Sequence, residues 1–566
     1  MKNKSLENNS LIEKILSKNY IPLVITIILG FLIYGRTLFF DFTYLDDNNL
    51  ILDHQYFLSN LANIFRSFLT DVFLLFNNSA FYYRPILTIS LIFDYQIGNI
   101  SPFIYHFTNI ILHITSSYLI YVFLSKLNYE KTLAFLFSII FLVHPVLTQA
   151  VAWIPGRNDS LLAIFALSTF IFFIKYLKNK KIKNLIFSLI FFALSIFTKE
   201  SGIFILPIMF FFLYFIYKKE NKEGKLSLFN FYFFFGSIGI LGLWIILRNI
   251  ALLGSTPATL SEMLKSIYLN LPAIIQFIGK IFLPFNLSVL PVIQNTTFLY
   301  GIISIIFLII IFLFTKIKRW NFILLGAGWF FAFLLPSFIR PNSTLIADFI
   351  EHRLYLPIVG IFIILLETDL IRKINLKKKN TLIGISIFIF ILSIMTIIHS
   401  GNFANRTVFW ENATKTSPSF AFNYNNLGAM YYLDKNMDSA EKEFKKAIEL
   451  NPREPMAHNN LGLVYANQNK FIEAEEEYKK EIENNPYYDS VYYNLGLLYY
   501  KQKKYTEAEY NWKKTLELNP NYFDAIKALI VYYYEQKNYK EMSIYARELQ
   551  NRGFLLPDEF QKVIEP

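Results

Sequence analysis

Long apolar runs separated by short polar connections occupy the first four hundred residues of the chain. The runs lie at about 20–40, 103–126, 132–150, 159–177, 184–198, 202–217, 228–248, 298–316, 321–338, 354–370 and 380–398. A helix needs roughly 20 apolar residues to cross a bilayer, so most of these runs predict spans. The runs at 184–198 and 202–217 are shorter and predict a tight hairpin. A further apolar stretch, 263–290, carries Lys265, Lys280, Pro272 and Pro284 and is read as lying in the interface or re-entering. From about Arg406 onward no run reaches membrane length, and Asn, Lys, Glu and Tyr dominate. The expected architecture is all-α: a polytopic helix bundle of about 11 spans over 1–400, then a soluble helical domain over 406–566.

The soluble part is repetitive. Asn426-Leu427-Gly428, Asn460-Leu461-Gly462 and Asn494-Leu495-Gly496 recur at one fixed interval, as do Pro418, Pro452, Pro486 and Pro520. Tyr431, Tyr465, Tyr499 and Tyr533 keep the same interval, and so do Ala440, Ala474 and Ala508. A period of 34 with small residues at fixed places predicts a tetratricopeptide-repeat (TPR) solenoid, each repeat a hairpin of helices A and B. Small residues let A and B approach, and Pro ends helix B. The fourth repeat has Ile530 where Gly is expected and is read as a worn or capping repeat. Such arrays bind peptides or proteins on their concave face.

Composition narrows the class further. Hydrophobic residues make up 54% of the 566 and charged residues 17%, with 60 Phe and 37 Tyr, which excludes a soluble enzyme and a disordered chain. There is no Cys, so disulfides, thiolate metal sites and cysteine nucleophiles are excluded. The net charge of +12 reflects topology and requires no nucleic acid. Lysines collect in every second connection: Lys14 and Lys18, Lys126 and Lys131, Lys175 to Lys183, Lys218 to Lys225, Lys316 to Arg319, and Arg372 to Lys379. The positive-inside rule then puts the N-terminus in the cytoplasm and the repeats outside. This closes only if 263–290 does not cross. No cleavable signal follows the first run.

That topology gathers the unusual polar residues on one face. The loop 41–102 opens with Asp41, Asp46 and Asp47 and later carries Tyr83-Arg84-Pro85 and Asp94. The next outer loop runs from His144-Pro145 through Trp153 to Arg157-Asn158-Asp159, and Lys199-Glu200 forms a third turn. Arg248, Arg340 and Glu351-His352-Arg353-Leu354-Tyr355 follow. Ionisable groups at membrane depth mark substrate paths more often than anchors. Each also has a structural reading. The acidic pair could flank a helix, Arg84 and Arg157 could pair with Asp94 or Asp159, His106 and His113 could bond neighbouring helices, and Lys199 could pair with Glu200. Taken together, a carboxylate base, cations suited to a phosphate and an apolar groove for a lipid tail suggest group transfer from a lipid phosphate to a hydroxyl.

The ordered series "RPIL", "FDYQIG", "PFIYHFTNIILH", "HPVLTQAVAWIPGRND", "FTKESGIFILP", "FLPFNLS" and "EHRLYLP", ahead of the repeats, resembles the transmembrane and TPR-containing O-mannosyltransferases and their bacterial homologues. The resemblance implies a GT-C glycosyltransferase fold. It implies an inverting transfer of mannose or another hexose from a polyprenyl-phosphate carrier to Ser or Thr of exported proteins, without metal or other cofactor. It further implies Asp46 as base with Asp47 as its partner. Arg84, Arg157 and Arg353 would face the donor phosphate or cleft, and His144, Asp159, Lys199, Glu200, Glu351, His352 and Tyr355 would lie in the same cleft. The family's aromatic residue ahead of the acidic pair is Tyr44 here, followed by Leu45. The expected location is a bacterial inner membrane, in contact with lipid, donor and acceptor protein. The competing readings are a transferase acting on a lipid or surface glycan and a non-catalytic scaffold.

Overall fold

The computed structural model describes residues 20–73, 82–220, 228–253, 259–316, 319–339, 349–552, 557 and 560–561. Lys14, Lys18, Lys222, Lys225, Lys318 and Arg340 lie outside these. The described residues are helical with no β-strand, and they divide into two compact units, Met1–Ser417 and Pro418–Pro566.

In the first unit, seven helices among the described residues are long and apolar enough to span: Ile21–Phe39, Pro102–Lys126, Ile154–Asn179, Glu200–Tyr217, Leu228–Ala251, Trp320–Phe338 and Lys379–Phe403. An eighth span arises if Lys131–Val143 and Pro145–Ala152, bent by 56° against each other, count as one. The bend falls at His144, which is extended because the following Pro145 disfavours helical backbone before it. Three of the expected runs lie in shorter helices: Ile182–Thr198, Leu299–Phe314 and Ile358–Leu366. The stretch 263–290 is broken at Leu271-Pro272 into Leu260–Asn270 and Ala273–Phe282, neither of membrane length.

Helix Arg157–Asn179 is the innermost, packed between Ile182–Thr198 and Pro102–Lys126. Phe123, Phe170 and Trp329 fill the centre of the bundle. Lys379–Phe403 and Leu228–Ala251 keep most of their apolar surface outward, with Ile238 and Phe390 about two-thirds exposed. Apolar faces of this extent are stable only against lipid. The protein is a multi-pass membrane protein.

The boundary between units falls at Ser417, later than the composition change. Helix Arg406–Thr416 belongs to the membrane unit because Asn412 accepts from Val289 N (3.3 Å) and Thr416 bonds Ser288 Oγ (2.6 Å).

The second unit is four hairpins: Ala421–Leu433 with Met437–Leu450, Ala457–Asn467 with Phe471–Asn484, Asp489–Lys501 with Tyr505–Leu518, and Phe523–Glu535 with Tyr539–Asn551. A Cβ on Gly428, Gly462 or Gly496 would meet Phe444, Tyr478 or Trp512 at 2.6–2.7 Å, so glycine is required for each aromatic ring to sit between the helices. The fourth repeat, read from the sequence as worn or capping, forms a complete hairpin without the glycine-and-aromatic pairing. Ile530 replaces the glycine and Ala546 replaces the aromatic, both buried. Bulk has moved from helix B to helix A, which conserves volume and keeps the core filled.

Candidate active site

The first span ends in a short 3-10 turn, and the chain then forms a tight acidic loop. Tyr44 (φ 59°) and Asp46 (φ 66°) both adopt left-handed backbone. Asp tolerates this conformation, whereas a tyrosine held there stores strain, a condition that concentrates at functional sites. Asp47 is buried and accepts from Thr43 N (2.5 Å) and Thr43 Oγ1 (2.7 Å). Burial pushes its carboxyl up to about 7, Thr43 opposes the shift and the neighbouring Asp46 adds to it. Asp46 remains partly exposed. The Arg406 guanidinium stacks over the Tyr44 ring at 5.1 Å.

Trp153 connects this loop to the second half of the site. Its Nε1 donates to Leu45 O (2.8 Å), and its ring lies 5.3 Å from that of His352. His352 Nε2 is 3.6 Å from Asp159 Oδ2, and Lys199 Nζ donates to Asp159 Oδ1 at 2.8 Å. Arg84 acts electrostatically on both Asp159 and Lys199, and Arg353 acts on Lys199. Arg84 is in turn held by Glu200 (3.8 Å) and by Asn158. With its amide oriented to suit both neighbours, Asn158 donates to Thr198 O (2.9 Å) and accepts from Arg84 Nη1 (3.2 Å). Two arginines, a lysine and a histidine thus gather around Asp159, with Glu200 at the margin. Such a patch suits an anionic ligand.

The Lys199–Glu200 pair weighed above does not form. Lys199 has extended backbone (φ −155°, ψ 139°), so consecutive side chains point to opposite sides. Lys199 reaches Asp159, and Glu200 accepts from Tyr83 N (3.3 Å).

The remaining candidates are committed inside the bundle. Arg157 is fully buried: Nε donates to Asn109 Oδ1 (2.9 Å), Nη2 to Tyr105 O (2.8 Å), and Nη1 pairs with Asp94. Arg157 opens its helix directly after Gly156, whose missing side chain lets the turn pass close to Gln149 O, which a Cβ would meet at 2.6 Å. His144 bonds Ile281 O (2.8 Å) and Val146 N (3.3 Å). Tyr355 OH bonds His113 Nδ1 (2.7 Å), which agrees with the structural reading of His113. Glu351 is buried against Lys280 Nζ (2.5 Å), Ser288 N (2.9 Å) and His399 Nε2 (3.2 Å). Gln149 Oε1 accepts from the backbone of Glu351 and His352, fixing the turn that carries His352 and Arg353.

The family described as dolichyl-phosphate-mannose-protein mannosyltransferase matches residues 88–241, and tetratricopeptide-repeat families match 423–454, 443–476 and 490–522. The protein O-mannosyl-transferase F38B6.6 of Caenorhabditis elegans is 36% identical over 135 residues, 23% of this chain and 19% of that one. The human protein O-mannosyl-transferase TMTC2 is 32% identical over 154 residues, 27% and 18% of the two chains. Human TMTC3 is 30% identical over 189 residues, 32% and 20% of the two chains. The matched stretch spans about a fifth of the length of these relatives. Among solved structures, MamA aligns at 21% identity over 29% of this chain and 88% of that one, with a TM-score of 0.24.

The chain is O-mannosyltransferase-like and TPR-containing.

The O-mannosyltransferase-like segment holds His144, Arg157, Asp159, Lys199 and Glu200. The acidic loop and Arg84 precede it, and the turn carrying His352 follows it. Thr43, Asn158, Lys280 and Arg406 were not singled out from the sequence as site residues. Trp153 stood inside a quoted motif, and its amphipathic ring at the edge of a span was the available signal. Lys280 was visible as a charge inside an apolar stretch, without a visible partner.

Proposed function

We propose that this chain transfers mannose from a polyprenyl-phosphate carrier to Ser or Thr hydroxyls of exported proteins, with inversion at the sugar. The observation that carries the reading is the strained acidic loop joined through Trp153 to the cationic patch on Asp159. Asp46, the more exposed carboxylate, accepts the proton of the acceptor hydroxyl. The hydroxyl oxygen attacks the anomeric carbon on the face opposite the phosphate, and that direction of attack inverts the centre. The C–O bond to the phosphate breaks, its electron pair leaves with the carrier, and Arg84, Lys199, Arg353 and His352 hold the growing charge.

Asp47 shapes the loop through Thr43. Asp159 and Glu200 position the cations, while Arg157, His144, Glu351 and Tyr355 brace the helices and turns that present them. The lysine pattern supports an N-terminus in the cytoplasm and repeats on the outer face, and the membrane we assign is a bacterial inner membrane.

The test compares glycan mass on exported proteins from cells carrying wild type or Asp46→Asn at equal membrane abundance. A positioned base contributes about 10²–10⁴-fold, so hexose on Ser and Thr should fall below detection in the variant. Retained transfer would remove Asp46 from the mechanism. Exported proteins identical in both strains, with an altered lipid or surface glycan, would reassign the acceptor.

A further inference from the structure

The helix that leads into the repeats carries their spacing. Trp410 stands 34 residues before Phe444 and so extends the series Phe444, Tyr478 and Trp512, whose rings pack on the repeat glycines. Ala413 stands at the same interval before Ala447, and Pro418 opens the proline series. Helix Arg406–Thr416 thus has the sequence of a helix B, with Phe409, Trp410 and Ala413 fully buried. The position matching Gly428 is Ile394, inside the last span, so this half-repeat has no helix A of its own. Both of its ends are fastened within the membrane unit.

At its start, Asn405 caps the helix by accepting from Val408 N (3.0 Å), and Ala404 O accepts from Asp41 N (2.9 Å). The Arg406 guanidinium lies over the Tyr44 ring at 5.1 Å, on a residue whose left-handed backbone (φ 59°) shapes the acidic loop. At the far end, Asn412 Oδ1 accepts from Val289 N (3.3 Å), Thr416 Oγ1 bonds Ser288 Oγ (2.6 Å), and Ser417 Oγ donates to Leu290 O (2.7 Å). The loop gripped there holds the second half of the site. Ser288 N donates to Glu351 Oε1 (2.9 Å), Val289 O accepts from Gln149 Nε2 (3.1 Å), and Pro291 O accepts from Phe349 N (2.7 Å). Glu351 N and His352 N in turn donate to Gln149 Oε1, at 3.0 and 3.4 Å. A helix of 11 residues is a rod about 16 Å long. One rod therefore ties the acidic loop to the turn carrying His352 and Arg353, in parallel with the link through Trp153.

We infer that helix Arg406–Thr416 sets the distance between the two halves of the candidate site, with Arg406 and Asn412 as positioning residues for the transfer. A tyrosine in left-handed backbone relaxes unless its surroundings hold it, and a cation stacked on its ring is such a hold. Release of Tyr44 would draw Leu45 O away from Trp153 Nε1 and carry Asp46 with it. Loss of the Asn412 bond would free the 288–291 loop and, through Glu351 and Gln149, the turn bearing His352 and Arg353. Base and phosphate grip must face the same sugar, so a misplacement of about 1 Å is felt in turnover. The helix also keeps the register of the repeats, so the frame of the site contains a helix built to the array's pattern. This inference rests on the transfer reading above.

The test uses the full chain in lipid nanodiscs and needs no donor for its first readout. The chain has no Cys, so Asn49→Cys and Gln294→Cys, both at exposed positions, can carry spin labels on the two halves. The distance between the labels should be narrowly distributed in the otherwise unaltered chain. Arg406→Ala and Asn412→Leu, on half-buried side chains, should each broaden it at an unchanged melting temperature. Arg406→Lys keeps a cation over Tyr44, and Asn412→Asp keeps an acceptor for Val289 N, so both should restore the narrow distribution. With polyprenyl-phosphate mannose and a Ser- and Thr-containing peptide, the two broadening variants should lose about 10- to 100-fold in kcat. Their KM for the donor should stay as in wild type, and the conservative variants should recover turnover. An unchanged distribution in both Arg406→Ala and Asn412→Leu overturns the inference. So does a broadened one with wild-type kcat, or a lowered melting temperature with the distribution intact, which would make the helix a plain brace. Wild type that transfers nothing overturns the transfer reading alone, because the label distances still decide whether the helix spaces the two halves.

Discussion

Lys280 in the membrane unit and Lys445 in the repeat unit each place an ammonium against a glutamate, at 2.5 and 2.6 Å. Their surroundings make them different interactions. Lys280 and Glu351 come from distant parts of the chain and both are buried, whereas Lys445 and Glu441 are one helical turn apart and the lysine is 54% exposed. The same contrast runs through both units. Arg157–Asp94, Lys199–Asp159 and the two arginines on Glu367 tie the membrane unit together with little water around their carboxylates. The pairs Lys479–Glu475, Lys513–Glu509 and Lys514–Glu517 lie on single helices in solvent. Distance alone therefore says little about what a pair contributes. Burial decides whether losing one partner strands a charge.

The sharpest way to break the comparison is Lys280→Met. It leaves Glu351 buried beside His399 and Ser288 N with no permanent cation. Removal of one partner from a buried pair costs about 3–5 kcal/mol. Thermal unfolding in detergent should show a fall of that order, and the simultaneous change Lys280→Met with Glu351→Leu should recover much of it. A single variant as stable as wild type would show that water reaches the pair.

Asp47 gives the next effect, and it depends on pH. The folded chain keeps its proton up to about 7, while the unfolded chain loses it near 3.8. Between those values the folded state binds more protons, so its stability falls as pH rises, by at most about 4 kcal/mol, and levels off above 7. Asp47→Asn carries no titrating group and should remove this slope, as read from melting temperatures across the window. An unchanged slope would place its origin elsewhere. Asp46→Asn should narrow the window from above, since the Asp46 charge adds to the upward shift.

Within the repeats, the fourth hairpin tests whether packing or position matters. Ile530→Gly should cost about 3 kcal/mol, combining lost burial with a helical glycine. Adding Ala546→Phe restores the glycine-and-aromatic pairing of the other repeats and should recover at least half of the loss in chemical denaturation of the repeat transition. No recovery would mean that the fourth hairpin has diverged in backbone as well as side chain.

These effects differ in how far the sequence exposes them. The repeat register was legible because its signal is periodic and local: four series sharing one interval name the helices, the turns and the close approaches. The apolar runs were legible for the same reason. The Ile530–Ala546 exchange was half legible; the missing glycine was seen, but its compensation on the following helix requires knowing which side chains face each other. The candidate site was legible as a set of residue types, and as contacts only in the Arg157–Asp94 pair and the bond of His113 to a neighbouring element. Lys199 had an adjacent glutamate and took Asp159 from another helix, because extended backbone turned its neighbour outward. The left-handed turns at Tyr44 and Asp46 leave no trace in residue type, except that Asp tolerates one of them. Lys280 was legible only as a charge in an apolar stretch read as interfacial, and its burial against Glu351 was not.

The smallest expected effect bears on the comparison from the other side. Glu475 accepts from Lys479 at 2.7 Å and from Tyr499 at 3.0 Å and lies 3.7 Å from Lys504, so a map of contacts ranks it among the best-connected acids of the repeat unit. Its lysine partners are about half exposed, and water replaces a lost carboxylate readily at such positions. Glu475→Gln keeps the shape and a hydrogen-bond acceptor for Tyr499 while removing the charge. The expected loss is about 0.5 kcal/mol, shrinking further at high salt as the remaining charges are screened. A loss approaching that of Lys280→Met, or one insensitive to salt, would mean that the repeat surface shields its charges from water.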